Sequence, residues 1–256
     1  MDAGSYDDIL SSVRQPGQYV GGEWNAVVKD RGDVDLTFLL AFPDTYAIGM
    51  SHSGMAILYD VLNRMARLAA ERVFMPRADM EAALRERGVP LLSLETRTPL
   101  SEFDVVGFSL QYEMGSSNVL AMLDLGGVPV RSEERADDAP LIVAGGVGAM
   151  APEPLAPFID LFVVGDGEEV VRTLAEAARD TRGMPRQERL VALAKASPCF
   201  YVPSLYEEQR DRDGCLVGLA PHVEGIPSVI HRALVEDLDE AAWPIEPIVP
   251  FCEVVH

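Results

Sequence analysis

Four places in the chain carry residue types that can hold a ligand. Two are glycine loops, GGVG at 145–148 and GDGEE at 165–169, which include Gly145, Gly146, Gly165, Asp166, Gly167 and Glu168. Each follows an apolar, β-branched run, at 141–144 and 159–164. Such runs read as buried parallel strands, and loops leaving the carboxyl ends of parallel strands line the ligand crevice of an open sheet. Glycine there lets a bulky ligand approach the backbone and permits positive φ, although it also serves plain strand-to-helix turns. The third place is the polar stretch 44–54, with Asp44, Tyr46, Gly49 and His52. The fourth is 109–112, where Ser109, Gln111 and Tyr112 bring a hydroxyl, an amide and a phenol.

Several chemistries lack their residues. The phosphate-loop pattern GxxxxGK[ST] is absent, and Glu168 and Glu169, well placed at a helix start, repel phosphate. No GxGxxG follows the first strand, which counts against a nicotinamide site. Cys199, Cys215 and Cys252 stand far apart without CxxC or His-Cys spacing and read as ordinary thiols. No Ser-His-Asp or Cys-His grouping can be assembled. Met55, Met65, Met80 and Met122 sit at helical core positions and read as gap-fillers.

The elements that must position these residues alternate between strand and helix. Strands are expected at 34–42, 89–94, 104–110, 141–144 and 159–164, with a short one at 128–131. Helices are expected at 5–13, from Ser51 or Ser53 through the apolar spacing of Met55, Leu58, Leu62, Met65 and Ala66, and at 79–87, 114–125, 168–179 and 185–195. Three prolines (152, 154 and 157) exclude a long helix between the two glycine-ended strands. The alternation predicts a doubly wound, Rossmann-like α/β domain with a parallel sheet over 31–182, after an N-terminal extension at 1–30. Residues 183–240 read as a helix and a hairpin turning at Asp213-Gly214, and 241–256 as a Pro-rich linker.

The net charge of −20, from 21 basic and 41 acidic residues, opposes binding to nucleic acid. No apolar run reaches the roughly 18–20 residues that span a bilayer, and no membrane partner is expected. The acidic start MDAGSYDDIL lacks the basic and apolar regions of a signal peptide, which favours a cytoplasmic reading.

Five motifs in order carry a resemblance: GQYVGGE at 17–23, AFPDTYAIGMSHSGMAILYDVLN at 41–63, FDVVGFSLQYE at 103–113, AGG at 144–146 and GDGEE at 165–169. Singly they are weak, but their order and spacing are specific and extend over nearly the whole chain. The chain resembles the N-terminal part of radical SAM proteins that carry a cobalamin-binding-like domain ahead of the catalytic barrel. The resemblance implies a barrel in cis whose CxxxCxxC thiolates hold a [4Fe–4S] cluster with one iron open to S-adenosylmethionine. That triad does not occur in this sequence. The expectation is therefore a fragment without catalysis of its own, with the barrel as its partner.

The resemblance also suggests cobalamin as a ligand. Cobalamin domains of the methionine-synthase type carry DxHxxG after the first strand, with His as lower cobalt ligand. Here the matching stretch runs from Asp44 to Gly49, with Tyr46 in place of His. A neutral phenol is a poor cobalt ligand, so the resemblance favours a mode without a histidine ligand. His52 is out of register and is also placed to serve a helix N-terminus. Ser109, Gln111 and Tyr112 match the serine-containing loop that faces the nucleotide tail, or form a helix start with a half-buried tyrosine. Gly145-Gly146 match the glycines against which the dimethylbenzimidazole tail lies. Two alternatives stay open: a cofactor-free scaffold whose crevice is filled by Tyr46, Phe108 or Tyr112, and another small-molecule-binding α/β domain.

Overall fold

The computed structural model describes residues 3–237 and 239–249; Cys252 and the end of the expected linker lie outside the described residues. Strands β1 (Leu36–Phe42), β2 (Leu68–Phe74), β3 (Val105–Ser109), β4 (Leu141–Gly145), β5 (Leu161–Val163) and β6 (Phe200–Tyr201) form one sheet. Their order is β2-β1-β3-β4-β5-β6. The first five are parallel, and β6 closes the edge antiparallel to β5. β1 and β2 are buried along their full length, as parallel strands covered on both faces must be.

Among the described residues seven α-helices flank the sheet: α1 (Ala3–Ser12), the single turn α2 (Tyr46–Gly49), α3 (Ser53–Arg64), α4 (Ala78–Arg87), α5 (Ser116–Leu125), α6 (Gly167–Asp180) and α7 (Arg186–Ala196). α3, α6 and α7 pack on one face, over Phe38, Leu40, Val143 and Val163. α1, α4 and α5 cover the other, over Leu39, Ala41, Val106 and Ile142. α6 shows how the sequence selects its face. Val170, Val171, Leu174, Ala175 and Ala178 form one apolar stripe, with Glu168 and Glu169 in the first turn and Arg179 in the last, each suited to the helix dipole. A hairpin, β7 (Tyr206–Arg210) and β8 (Leu216–Pro221), follows the sheet.

The expected α/β architecture is present, with three local differences. β2 forms over Leu68–Phe74, where no element was expected, and α3 stops at Arg64, short of the expected Met65 and Ala66. Glu71 and Arg72 make that strand look polar, but both are buried with partners. Glu71 accepts hydrogen bonds from Ser93 Oγ (2.6 Å) and Thr96 Oγ1 (2.8 Å). Residues 89–94 are extended without being a strand: Leu91 N bonds Leu125 O, Ser93 N bonds Thr98 O, and Leu94 N bonds Arg72 O, so no ladder forms. Nor do residues 128–131 form a strand; Val128 N instead closes the end of α5 on Leu123 O.

Among its described residues, 222–237 and 239–249, the Pro-rich tail has neither helix nor strand, but it is tied down. His231 N bonds Pro198 O (3.0 Å), Ala233 N bonds Val164 O (2.8 Å), and Asn25 N bonds Ile248 O (3.1 Å). It forms a strap that starts at the carboxyl end of β5 and finishes against the N-terminal segment.

Candidate functional site

The 2-1-3-4-5 order of the parallel strands places a topological switch between β1 and β3, where open α/β sheets bind ligands at the strand carboxyl ends. On the α3/α6 side of that edge, a slot of about 150 Å³ runs down between sheet and helices. Its floor is Phe38 and Leu40 of β1, Gly107 of β3, Val143 and Gly145 of β4, and Val163 of β5. Leu58 of α3 and Val170, Val171 and Leu174 of α6 form the roof. Both central strands carry glycine, at 107 and 145, on the helix-facing side; Gly145 opens to the slot, whereas the Phe38 ring closes on Gly107. His52, Ser109, Gln111 and Glu168 ring the mouth. An apolar cavity near 150 Å³ is the size that takes up a single aromatic ring.

Eight of the thirteen residues singled out in the sequence line this slot: His52, Ser109, Gln111, Gly145, Gly146, Gly165, Gly167 and Glu168. The glycines have different reasons to be glycine. At Gly146 (φ +92°) a Cβ would stand 2.7 Å from Leu110 O and 2.8 Å from Gln111 Nε2, so packing on the loop after β3 requires it. At Gly107 a Cβ would meet the Phe38 ring at 2.8 Å. Gly165 (φ +110°) lies under the strap, where a Cβ would sit 2.2 Å from Ala233 O. Gly145 differs. It has ordinary strand backbone, and a Cβ there would find its nearest neighbours at 3.8–3.9 Å. The fold leaves room for a Cβ at that position, and the space beside it belongs to the slot.

At the mouth, Gln111 Nε2 donates to Ser109 Oγ at 2.8 Å, which leaves the serine O–H and the glutamine carbonyl free to meet a ligand. His52 caps α3, its Nδ1 accepting from Met55 N at 3.2 Å. The neutral ring then carries its proton on Nε2, which makes that nitrogen a donor rather than a metal ligand.

The other five candidates lie outside the slot. Tyr46 turns towards Glu23, donating to its Oε1 at 2.9 Å, and packs edge-on against Phe74. Burial, then the Glu23 carboxylate, pushes the Tyr46 phenol up to about 12, so it stays neutral. Gly49 lets Phe74 close down on the backbone: a Cβ would stand 2.2 Å from the ring. Asp44 accepts from its neighbour Thr45 N (2.6 Å) and from the Tyr112 hydroxyl, a bond that bridges the loops after β1 and β3 on the rim. Asp166 faces the strap, its N donating to Ala233 O (3.0 Å) and its Oδ2 accepting from Val235 N (3.1 Å).

Two polar clusters escaped the sequence reading. Arg72 is wholly buried between Glu23 Oε2 (2.8 Å) and Glu95 Oε1 (2.6 Å), with Met50 Sδ at 3.1 Å and its guanidinium over the Tyr59 ring at 5.0 Å. Burial resists ionisation of Glu23, but the charge and hydrogen bonds of Arg72 outweigh it and hold that carboxyl below its usual range. With Tyr19 accepting from Arg77 N and Lys29 donating to Asn63 O and Leu68 O, this cluster fastens the segment 17–29 onto the sheet edge. At the opposite end of the strands, buried Asp160 faces Arg135 and Arg186, with buried Arg189 close by. A charged residue inside an apolar strand pattern was the available signal for Arg72.

Substituting Gly165→Ala is expected to release the strap, because the new Cβ and the backbone of Ala233 cannot share one place. Hydrogen exchange at 231–235 should accelerate at least tenfold while β1 and β3 are unaffected; unchanged protection at 231–235 would refute the packing role.

In doubly wound α/β sheets the switch point is where ligands bind, and here it carries an aromatic-sized slot. The family model described as radical SAM proteins, N-terminal, matches residues 54–203, more than half of the chain. The chain belongs to that family. Neither the comparison with curated proteins nor that with solved structures gives a match. Membership implies a radical SAM domain as partner in cis, and the [4Fe–4S] cluster and S-adenosylmethionine belong to that catalytic domain. Among the described residues no group of three His, Cys, Asp or Glu is placed to hold a metal. Cys199 is buried, Cys215 is exposed, and burial pushes the Cys199 thiol up. No helix among the described residues is long and apolar enough to cross a membrane.

Proposed function

We propose that this chain is the cobalamin-binding module of a radical SAM protein, with the α3/α6 slot receiving the six-membered ring of the two-ring base of the corrinoid's nucleotide tail. The observation that carries the reading is Gly145, whose missing side chain is explained by neither backbone nor packing and whose vacant volume is slot. Gly145, Gly107, Val143, Leu58 and Val171 would hold the flat base. Ser109 and Gln111 would meet polar groups of the tail at the mouth. The slot is too small for a macrocycle, so the corrin would lie outside, on the rim between Asp44-Tyr112 and Gly146. When bound, a corrinoid supplies an organometallic centre for radical or group-transfer chemistry. With Tyr46 held by Glu23 and His52 Nδ1 committed to capping, the residues present fit a mode without a protein ligand to cobalt. A cofactor-free scaffold has less support. Tyr46 and Tyr112 point elsewhere, and Phe108, although it borders the slot, belongs to the core of the opposite face, and the slot stays open beside it.

Gly145→Leu tests the reading. The leucine should fill the slot without disturbing β4 and should weaken hydroxocobalamin binding roughly 100-fold, the equivalent of losing burial of one aromatic ring, about 2–3 kcal/mol. Spectrophotometric titration of both proteins checks it, with thermal melts to verify the fold. A folded variant that binds like the wild type would refute the tail-in-slot arrangement.

A further inference from the structure

We propose that the apolar patch built from residues 24–28 and 243–249 is the face on which the radical SAM domain of the same polypeptide docks. Trp24 is 85% exposed, Trp243 64% and Ile245 84%, and Val28 and Val249 on the same two segments are exposed too. These are the two tryptophans of the chain. Scattered surface hydrophobics need no explanation, but exposed Trp, Ile and Val gathered on two segments that meet mark a binding surface.

The two segments are one surface. Asn25 N donates to Ile248 O (3.1 Å) and Asn25 Nδ2 to Pro247 O (2.8 Å). Asn25, Val27, Pro244 and Ile248 line a shared cavity of about 120 Å³ against α3. The patch is also preformed. Val27 N donates to the Tyr59 hydroxyl at 2.8 Å, Lys29 is bonded to two carbonyls, and Pro244 and Pro247 stiffen the strap. Little ordering cost would remain to be met on docking.

Position and charge identify the occupant. The family is that of N-terminal regions of radical SAM proteins, and the C-terminal strap, at 243–249, is itself part of the patch. A domain continuing from the strap is therefore held at high effective concentration beside it. The chain leading into the patch is acidic, with Glu236, Asp237, Asp239 and Glu240 exposed, and Glu246 and Asp60 stand at the shared cavity with Arg64. A second copy of this chain would bring like charges together, whereas an apolar face with a basic rim complements the patch. The inference rests on family membership and not on cobalamin, so failure of corrinoid binding leaves it intact and its own failure leaves the slot intact.

Hydrogen exchange is compared between this chain and the longer polypeptide that continues through the radical SAM domain. The expected result is at least tenfold slower exchange at 24–28 and 243–249 in the longer protein. That protection should be lost in the longer protein carrying Trp24→Ser and Trp243→Ser, while protection of β1 and β3 is kept. Equal exchange in the two proteins would overturn the proposal, as would protection that survives both substitutions. Concentration-dependent protection in this chain alone would overturn it as well, since the patch would then serve a second copy.

Discussion

Replacing Arg72 by alanine is expected to cost about 3–5 kcal/mol of stability, measured by urea unfolding at neutral pH. The side chain is fully buried, and its removal strands two carboxylates, Glu23 and Glu95, with no cation between them. Burial already pushes the Glu95 carboxyl up, against the pull of Arg72. Without the arginine, both folded-state carboxyls should titrate above their unfolded values. A raised carboxyl pKa adds stability below the unfolded value and loses it as pH rises through the folded value. The deficit should therefore shrink as the pH is lowered towards the ordinary carboxylate range. The triple variant Arg72→Met, Glu23→Gln, Glu95→Gln should recover most of the loss, because an uncharged cluster leaves no ion stranded. A deficit that is independent of pH would show that lost packing, not stranded charge, is responsible. Because Glu23 also receives the Tyr46 hydroxyl, release of the 17–29 segment should accompany the loss.

Asp160→Asn is expected to be comparably damaging, about 3–5 kcal/mol, with the opposite sign of stranded charge. Asp160 Oδ2 accepts from Ile142 N (2.7 Å) and Arg186 Nη2 (2.6 Å), and Oδ1 stands 3.0 Å from Arg135 Nη1. Arg189 is buried nearby, its ionisation opposed by burial and then by Arg186. An amide cannot neutralise these guanidiniums, and its N–H₂ would face donors. The cluster pins α7 and the loop before β4 to the amino-terminal end of the sheet, far from the slot. The variant should thus unfold at lower urea yet bind hydroxocobalamin normally while folded. Weakened binding by the folded variant would place the cluster in the slot's support, contrary to this account.

Much of the fold was legible because parallel strands buried on both faces are continuous apolar runs, and those of β1, β3, β4 and β5 end at glycine, proline or a polar loop. β2 was not, since its interior holds Glu71 and Arg72, whose partners lie 22 to 49 residues away in sequence. Residues 89–94 have strand-like composition but face several different carbonyl and amide partners, which no local pattern reveals. At the site, the loops that meet were readable from the glycines at their strand ends. What each glycine does was not. Gly146 and Gly165 answer to Leu110 and to Ala233, contacts made only in three dimensions, and Gly145 stands out only once those are known. Gly107 was the overlooked signal: glycine inside a buried strand marks a close approach or a vacated volume. The strap's return to Asn25 was equally hidden, because a Pro-rich segment reads as a linker unless its hydrogen bonds are seen.

The most direct test of the central claim compares two corrinoids on the wild-type chain. Hydroxocobalamin carries the nucleotide tail and cobinamide lacks it. After incubation with each and gel filtration, the chain should retain colour with hydroxocobalamin and lose it with cobinamide. Absence of retained colour with hydroxocobalamin, or equal retention of both, would contradict a slot that holds the tail.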